Sequence, residues 1–264
     1  MPELRFRERS LDISLAPTPW NDRVLGGPSG HLTVEGMHEY ATTTDLRHRD
    51  DWLARRLADE GLVYVSTSAD AADTAAKAVV QHLGFDFIYQ TTTCILRLDQ
   101  TVSLRDSHPA MEVVDPVSVA SDEVAELCAT TLKHGRFCED WLTRELAGPR
   151  NAAFVRDLHA RENVHRVFTR APSDRLNGYA YIPIERGSAD LLLMGISEAD
   201  APPGAGQSFW EICLADLRSR GLARRVWTRV PAANLGVLNI YARIGFNFVG
   251  PAYDFRMLPQ AVSR

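Results

Sequence analysis

Residues 190–255 open with Asp190-Leu-Leu-Leu-Met-Gly-Ile196 and run on through Gly204-Ala-Gly-Gln207, Trp210-Glu-Ile-Cys-Leu-Ala-Asp-Leu217, Val226-Trp-Thr-Arg-Val230 and Asn234-Leu-Gly-Val-Leu-Asn-Ile-Tyr-Ala-Arg-Ile-Gly-Phe246. The period of the apolar residues changes along this stretch. Leu191 to Met194 is a short unbroken apolar run, as a strand buried on both faces requires, and predicts a strand over 191–196. Trp210, Cys213, Leu214 and Leu217 recur at the i, i+3, i+4, i+7 spacing of one helical face, so a helix is expected from Gln207 to Arg220, stopped by Gly221. Arg225 to Val230 reads as the next strand. A helix from Leu235 to Ile244 then opens on the capping residue Asn234 and places Val237, Leu238, Tyr241 and Ile244 on one face. Tyr241 is therefore expected to face the sheet.

The first part of the chain repeats this pattern. Leu83-Gly-Phe-Asp-Phe87 matches Ile244-Gly-Phe-Asn-Phe248 at an offset of 161 residues, and the preceding helix and strand align without a gap, Val65 on Val226. At that offset Tyr241 falls on Val80, Asn234 on Asp73, and Gly204 and Gly206 on Thr43 and Asp45. The N-terminal copy keeps the Gly-Phe framework and lacks both the glycine turn and the tyrosine. Its elements read as a helix from Asp45 to Gly61, a strand from Leu62 to Thr67, an Ala-rich helix from Asp70 to Leu83, and strands at Phe85–Tyr89 and Cys94–Leu98. Leu11 to Gly36, dense in Pro and Gly, is expected as turns between short strands. The polar segment Asp99 to Pro116 is the best boundary, giving a degenerate domain over 1–108 and a complete one over 109–264. Beyond it, Ser121 opens a helix with Val124, Leu127, Cys128 and Leu132 on one face. Val164–Thr169 and Leu176–Glu185 read as a hairpin. The fold class is α/β (α+β), a mixed and mostly antiparallel sheet with flanking helices.

Bulk properties bound the function. The chain has 264 residues, 45% of them hydrophobic, and a formal net charge of -5. That is ample for a packed core and offers no basic footprint for nucleic acid or for an anionic membrane. The apolar runs are too short for a membrane span and the N-terminus is charged where a signal peptide is apolar, so a cytoplasmic protein is expected. Cys94, Cys128, Cys138 and Cys213 form no Cys-x-x-Cys pair, which points to free, mostly buried thiols and to no metal site.

Two features carry chemistry. A Gly-Ala-Gly turn before a helix leaves backbone N–H groups clear at the positive end of the helix dipole, which is what a pyrophosphate needs. A tyrosine near the end of the next helix is the second. The order strand, Gly-x-Gly turn, helix, strand, Asn-x6-Tyr-x3-Gly-Phe, strand resembles the acyl-CoA-binding half of the GNAT acetyltransferase superfamily. The likeness extends over nearly the full chain through Pro19-Trp-Asn21, His82-Leu-Gly-Phe85, His134-Gly-Arg-Phe137 and Gly178-Tyr179, and is greatest to the amino-sugar N-acetyltransferases of the dTDP-fucosamine branch.

The resemblance implies acetyl-CoA as co-substrate and a primary amine of a small molecule, such as a nucleotide-linked amino sugar, as acceptor. It implies that Met194, Gly195 and Ile196 lie on a bulged strand beside the pantetheine arm, and that Gly204, Ala205, Gly206 and Gln207 hold the pyrophosphate. Asn234 would sit beside the pantetheine and sulfur, and Tyr241 would protonate the departing thiolate. His134, Arg136, Phe137 and Glu185 are expected at the acceptor pocket, with His134, Glu185 and His165 as alternative bases. Arg224 and Arg225 are candidates for the CoA 3′-phosphate, and a homodimer is the family-level expectation. The loop departs from the family pattern: Ala201, followed by Pro202 and Pro203, stands where Gln or Arg is usual. Two other readings stay open. One is the same fold with a different acyl donor or altered chemistry, and the other is a non-catalytic binding module.

Overall fold

The computed structural model describes residues 3–8, 11–35, 43–100, 103–197, 199–202 and 204–259. They form two compact units. The first takes the described residues up to 91, 139–146 and those from 250 onward; the second takes 92–138 and 147–249. Residues 92–108 thus pack with the second unit, although the sequence suggests a division at 108/109.

The first unit contains β1 (Leu4–Glu8), β2 (Leu11–Pro17), α1 (Pro19–Leu25), β3 (Ser29–Glu35), α2 (Thr43–Asp59), β4 (Tyr64–Asp70), α3 (Thr74–His82) and the first half of β5 (Asp86–Arg97). Helix α1 lies where only turns were expected. Its signals are Pro19 at the first helical position and Gly26 past the end at φ +75°, and the Asp22 carboxylate accepts hydrogen bonds from both the N–H and the hydroxyl of Ser29. The two strands expected at Phe85–Tyr89 and Cys94–Leu98 are one, because the β-branched Thr91, Thr92 and Thr93 continue the strand between them. Strands β1, β2 and β3 form an antiparallel meander, and β4 adds parallel to β3. Ile13, Leu15, Leu32, Leu53, Val65, Val80 and Phe255 fill the core.

The second unit contains β6 (Glu112–Val114), α4 (Ser121–Thr131), α5 (Arg136–Glu139), α6 (Ala147–His159), β7 (Val164–Arg170), β8 (Leu176–Glu185), β9 (Ser188–Asp190), β10 (Leu193–Ile196), α7 (Ala205–Ser219), β11 (Arg225–Pro231), α8 (Leu235–Ile244) and the start of β12 (Asn247–Met257). Its strand order is β11-β9-β8-β7-β6, with β10 also on β8. All these neighbours are antiparallel except β9 and β11. Side chains alternate across β8. Ala180 and Ile182 join Phe209, Cys213, Leu217, Val226, Tyr241 and Phe246 on the face covered by α7 and α8. Tyr179 and Tyr181 join Val124, Cys128, Val155, Leu158 and Phe168 on the face covered by α4 and α6.

Cys94, Cys128 and Cys213 are buried thiols and Cys138 is half-buried. Among the described residues no helix is long and apolar enough to cross a membrane, and no three His, Cys, Asp or Glu side chains are grouped to hold a metal ion.

Candidate active site

Of the strand expected over 191–196, only Leu193–Ile196 is β10, and Leu191 and Leu192 separate it from the earlier β9. β9 pairs with β11 through Ser188↔Arg225, Ala189↔Val226 and Asp190↔Trp227, and the Leu191 N–H adds a last bond to the Trp227 carbonyl at 3.0 Å. Leu191 and Leu192 then leave the ladder. β10 continues on β8 alone, from Leu193↔Tyr181 to Ile196↔Gly178, while β11 runs on to Pro231. The two strands diverge, and each presents a backbone edge that the other does not pair. Backbone N–H and C=O groups need partners, so such an opening suits an extended chain carrying amides of its own. Gly195 keeps β10 close to β8, since a Cβ there would run into the Tyr179 ring. Met194 and Ile196 are half-buried and pack on the α7–α8 core.

The glycine turn comes next. Gly204 caps α7 in the left-handed conformation, φ +85°, and the Ala205 N–H is used inside the turn, donating to the Pro202 carbonyl at 3.0 Å. The N–H groups of Gly206 and Gln207 fall in the first helical turn, where no carbonyl within the helix can reach them. A Cβ on Gly206 would meet only Ile240 Cδ1, at 3.4 Å, so backbone is what this turn offers. The Gln207 side chain turns away along the helix and donates to Glu211 at 2.8 Å. Arg105 lies against the same turn, donating to the Ser208 hydroxyl at 3.0 Å with its Nε 3.4 Å from Glu211 Oε2. It brings a cation to a loop whose first position is the uncharged Ala201. Nothing in the sequence signals this contact, because the segment from 99 to 116 has no periodicity to place it.

Tyr241 is 2% exposed. Its hydroxyl accepts from Trp210 Nε1 at 3.0 Å with Thr228 nearby, and its ring stacks on Phe246 with centroids 4.4 Å apart. Burial pushes the phenol well above its ordinary value and so keeps it protonated. Asn234 caps α8, its Oδ1 accepting from the Val237 N–H at 3.2 Å.

Asp190 is a site residue missing from the sequence reading, although a carboxylate inside Ala-Asp-Leu-Leu-Leu is itself a signal. In register with Trp227, it points to the face of Trp227 and Arg229, opposite to Ala189, Val226 and Thr228. Burial pushes its carboxyl up to about 7, with Arg229 pulling the other way, and it is near enough to Tyr241 to act on it electrostatically.

The other expected residues lie apart or at one side. His134 and Arg136 are half-buried and Phe137 is buried, just past α4, whose Thr131 hydroxyl is 3.1 Å from the Tyr179 hydroxyl and thus near Gly195. The Arg150 guanidinium stands 5.0 Å from the Phe137 ring centroid. Glu185 is exposed at the far end of β8, four residues beyond the Tyr181–Leu193 pair, or about 13 Å along a strand. His165 lines a 760 Å³ cavity beside the second half of α7, its Nε2 2.7 Å from Asp216. Arg224 and Arg225 sit past the C-terminal end of α7. Fifteen helical residues, about 22 Å, separate them from the Gly204 turn.

No family model matches the chain, and no curated protein sequence matches it. Solved structures share its fold. A tandem GNAT protein from the clavulanic acid biosynthesis pathway is 14% identical with a TM-score of 0.65, covering 98% of this chain and 84% of its own. GCN5-related N-acetyltransferases from Sphaerobacter thermophilus and Kribbella flavida are 15% and 12% identical with TM-scores of 0.62 and 0.63, covering 96% of this chain and 78% and 89% of theirs. The fold is thus the GNAT fold in a tandem arrangement.

Proposed function

We propose that this chain is an acyl-CoA-dependent N-acyltransferase that moves an acetyl group from acetyl-CoA to a primary amine of a small molecule by direct attack in a ternary complex. The observation that carries this reading is the divergence of β10 from β11 directly after Asp190 and Trp227, with the Gly204 turn following it and Tyr241 beneath. Met194 to Ile196 would pair with the pantetheine amides, and the amides of Gly206 and Gln207 would hold the pyrophosphate, with Arg105 beside them. A neutral amine attacks the thioester carbon, and the oxyanion takes an N–H from β10 near Gly195 or Ile196. Asp190, with its carboxyl raised to about 7, is matched to accept the amine's proton near neutrality, which assigns it the base role sought in the sequence among His134, Glu185 and His165. Tyr241 gives its proton to the sulfur. The resemblance to amino-sugar acetyltransferases makes an amino sugar the first acceptor to test.

Isothermal titration with acetyl-CoA and longer acyl-CoAs, followed by thiol release with a panel of amino sugars and amino acids, tests the reading. Micromolar binding and turnover are expected. Failure of every acyl-CoA to bind would leave only a non-catalytic module.

A further inference from the structure

Four polar groups lie together beneath the opening between β10 and β11. Trp210 Nε1 donates to the Tyr241 oxygen at 3.0 Å. Thr228 stands near the same oxygen, and its hydroxyl hydrogen is donated to the Leu191 carbonyl at 3.1 Å, at the residue where the strands part. An indole N–H is only ever a donor, so the Tyr241 oxygen receives a hydrogen from Trp210 and its own hydrogen points elsewhere. Trp210, Thr228 and Tyr241 are 4%, 4% and 2% exposed.

The N-terminal copy supplies an independent observation. At the offset of 161 the position of Trp210 is Arg49, that of Tyr241 is Val80 and that of Thr228 is Thr67. The copy without the tyrosine is also without the tryptophan. It keeps the threonine, and Thr67 Oγ1 is buried with no hydrogen-bond partner among the described residues. The hydroxyl left behind there marks the network as one unit, built around the tyrosine.

Resting on the acyltransferase reading, we propose that Trp210 and Thr228 are positioning residues for the leaving-group acid, fixing the Tyr241 hydroxyl and holding its oxygen as a phenolate once its proton has gone. The C–S bond breaks, its electron pair goes to sulfur, and the sulfur takes the proton from Tyr241. The phenolate keeps the Trp210 N–H and takes the Thr228 O–H, which releases the Leu191 carbonyl. The proton lost by the amine, held on Asp190, equals the one lost by Tyr241, and its return restores both groups. Burial alone would make Tyr241 a weaker acid, and the Trp210 hydrogen bond and the neighbouring Thr228 hydroxyl oppose it.

A double-mutant cycle tests this, with Trp210→Phe and Thr228→Val each made in the wild-type and the Tyr241→Phe backgrounds, melting curves to confirm folding, and titration for acetyl-CoA affinity. In the wild-type background, Trp210→Phe is expected to lower kcat about 10-fold or more, and Thr228→Val about 3-fold or more, the size of a hydrogen bond to a charged group, with acetyl-CoA Kd changed less than about 2-fold. In the Tyr241→Phe background each is expected to change kcat less than about 2-fold. Equal losses in both backgrounds, or an unchanged kcat in wild type, would overturn the proposal. Should Trp210→Phe not fold, the Thr228→Val cycle decides by the same criterion. Acetyl-CoA binding with a Tyr241→Phe variant as fast as wild type would remove the acid role itself, and no acyl-CoA binding would remove the acyltransferase reading beneath it.

Discussion

Residues 64–97 and 225–257 are one supersecondary unit built twice, and they differ in what they enclose. β4 (Tyr64–Asp70) and β11 (Arg225–Pro231) have the same length at the offset of 161, and α3 and α8 start at matching residues, Thr74 and Leu235. Asp73 caps one helix by accepting from the Ala76 N–H, and Asn234 caps the other by accepting from the Val237 N–H. Gly84 and Gly245 leave the helices at φ +80° and +98°. Even the parting of the neighbouring strand recurs. β3 pairs with β4 as far as Leu32↔Thr67 and then continues on β2 alone, as β10 continues on β8. The framework is the same, yet under the first opening Val80 closes an apolar core, and under the second Tyr241 joins Trp210 and Thr228, with Asp190 near enough to act on it electrostatically. The two copies thus share a backbone and differ in a few side chains, and the proposed site rests on those side chains.

The largest effect that would break this comparison is on turnover. Tyr241→Phe brings the second copy toward the first and is expected to lower kcat at least about 10²-fold in the thiol-release assay, with the melting temperature lowered by a few degrees as the buried Trp210 N–H loses its acceptor. A kcat within 3-fold of wild type would mean that the two copies differ in packing only.

Asp190→Asn should act on rate and on stability together. Turnover is expected to fall about 10²-fold, and the wild-type rate to rise with pH through about 7 as the carboxyl ionises. The folded-state value lies above the unfolded one of about 3.9, so the native state holds the proton more tightly. The stability this gives is complete below about pH 4 and is lost as pH rises to about 7. Chemical denaturation at pH 8 should therefore show Asp190→Asn more stable than wild type by up to about 4 kcal/mol, with the difference vanishing near pH 4. A difference independent of pH would show that Asp190 is not desolvated.

Gly206→Ala separates binding from folding. Alanine in a helix in place of glycine adds about 0.5–1 kcal/mol of stability, and the new Cβ has room beside Ile240. The same methyl stands between the turn and a phosphate, so acetyl-CoA affinity is expected to fall about 10-fold in titration while the melting temperature rises. Both moving up together would place the pyrophosphate elsewhere.

The smallest effect sharpens the comparison of the caps. Asp73→Ala and Asn234→Ala should each cost about 1 kcal/mol in denaturant unfolding, as lost N-caps do. Only Asn234→Ala is expected to weaken acetyl-CoA binding as well. Equal affinity in both variants would leave Asn234 as a cap alone.

Sequence period by itself determined the elements around the site. The helix from Leu235 to Ile244 has the expected bounds, and α7 and β11 agree within two residues, because helices and strands of this length take their limits from capping residues and from the switch of apolar period. The internal repeat was also legible, since Leu83-Gly-Phe85 and Ile244-Gly-Phe246 end two helices by the same left-handed glycine. Tertiary structure alone decided that the strand begins at Leu193 rather than Leu191, because an unbroken apolar run reads as strand throughout and only the separate demands of β8 and β11 part β10 from β9 there. It also decided the meeting of Trp210, Tyr241 and Thr228 and the raised Asp190 carboxyl. Those depend on groups from different elements meeting in a space from which water is excluded, and distance in space is what a linear sequence does not encode.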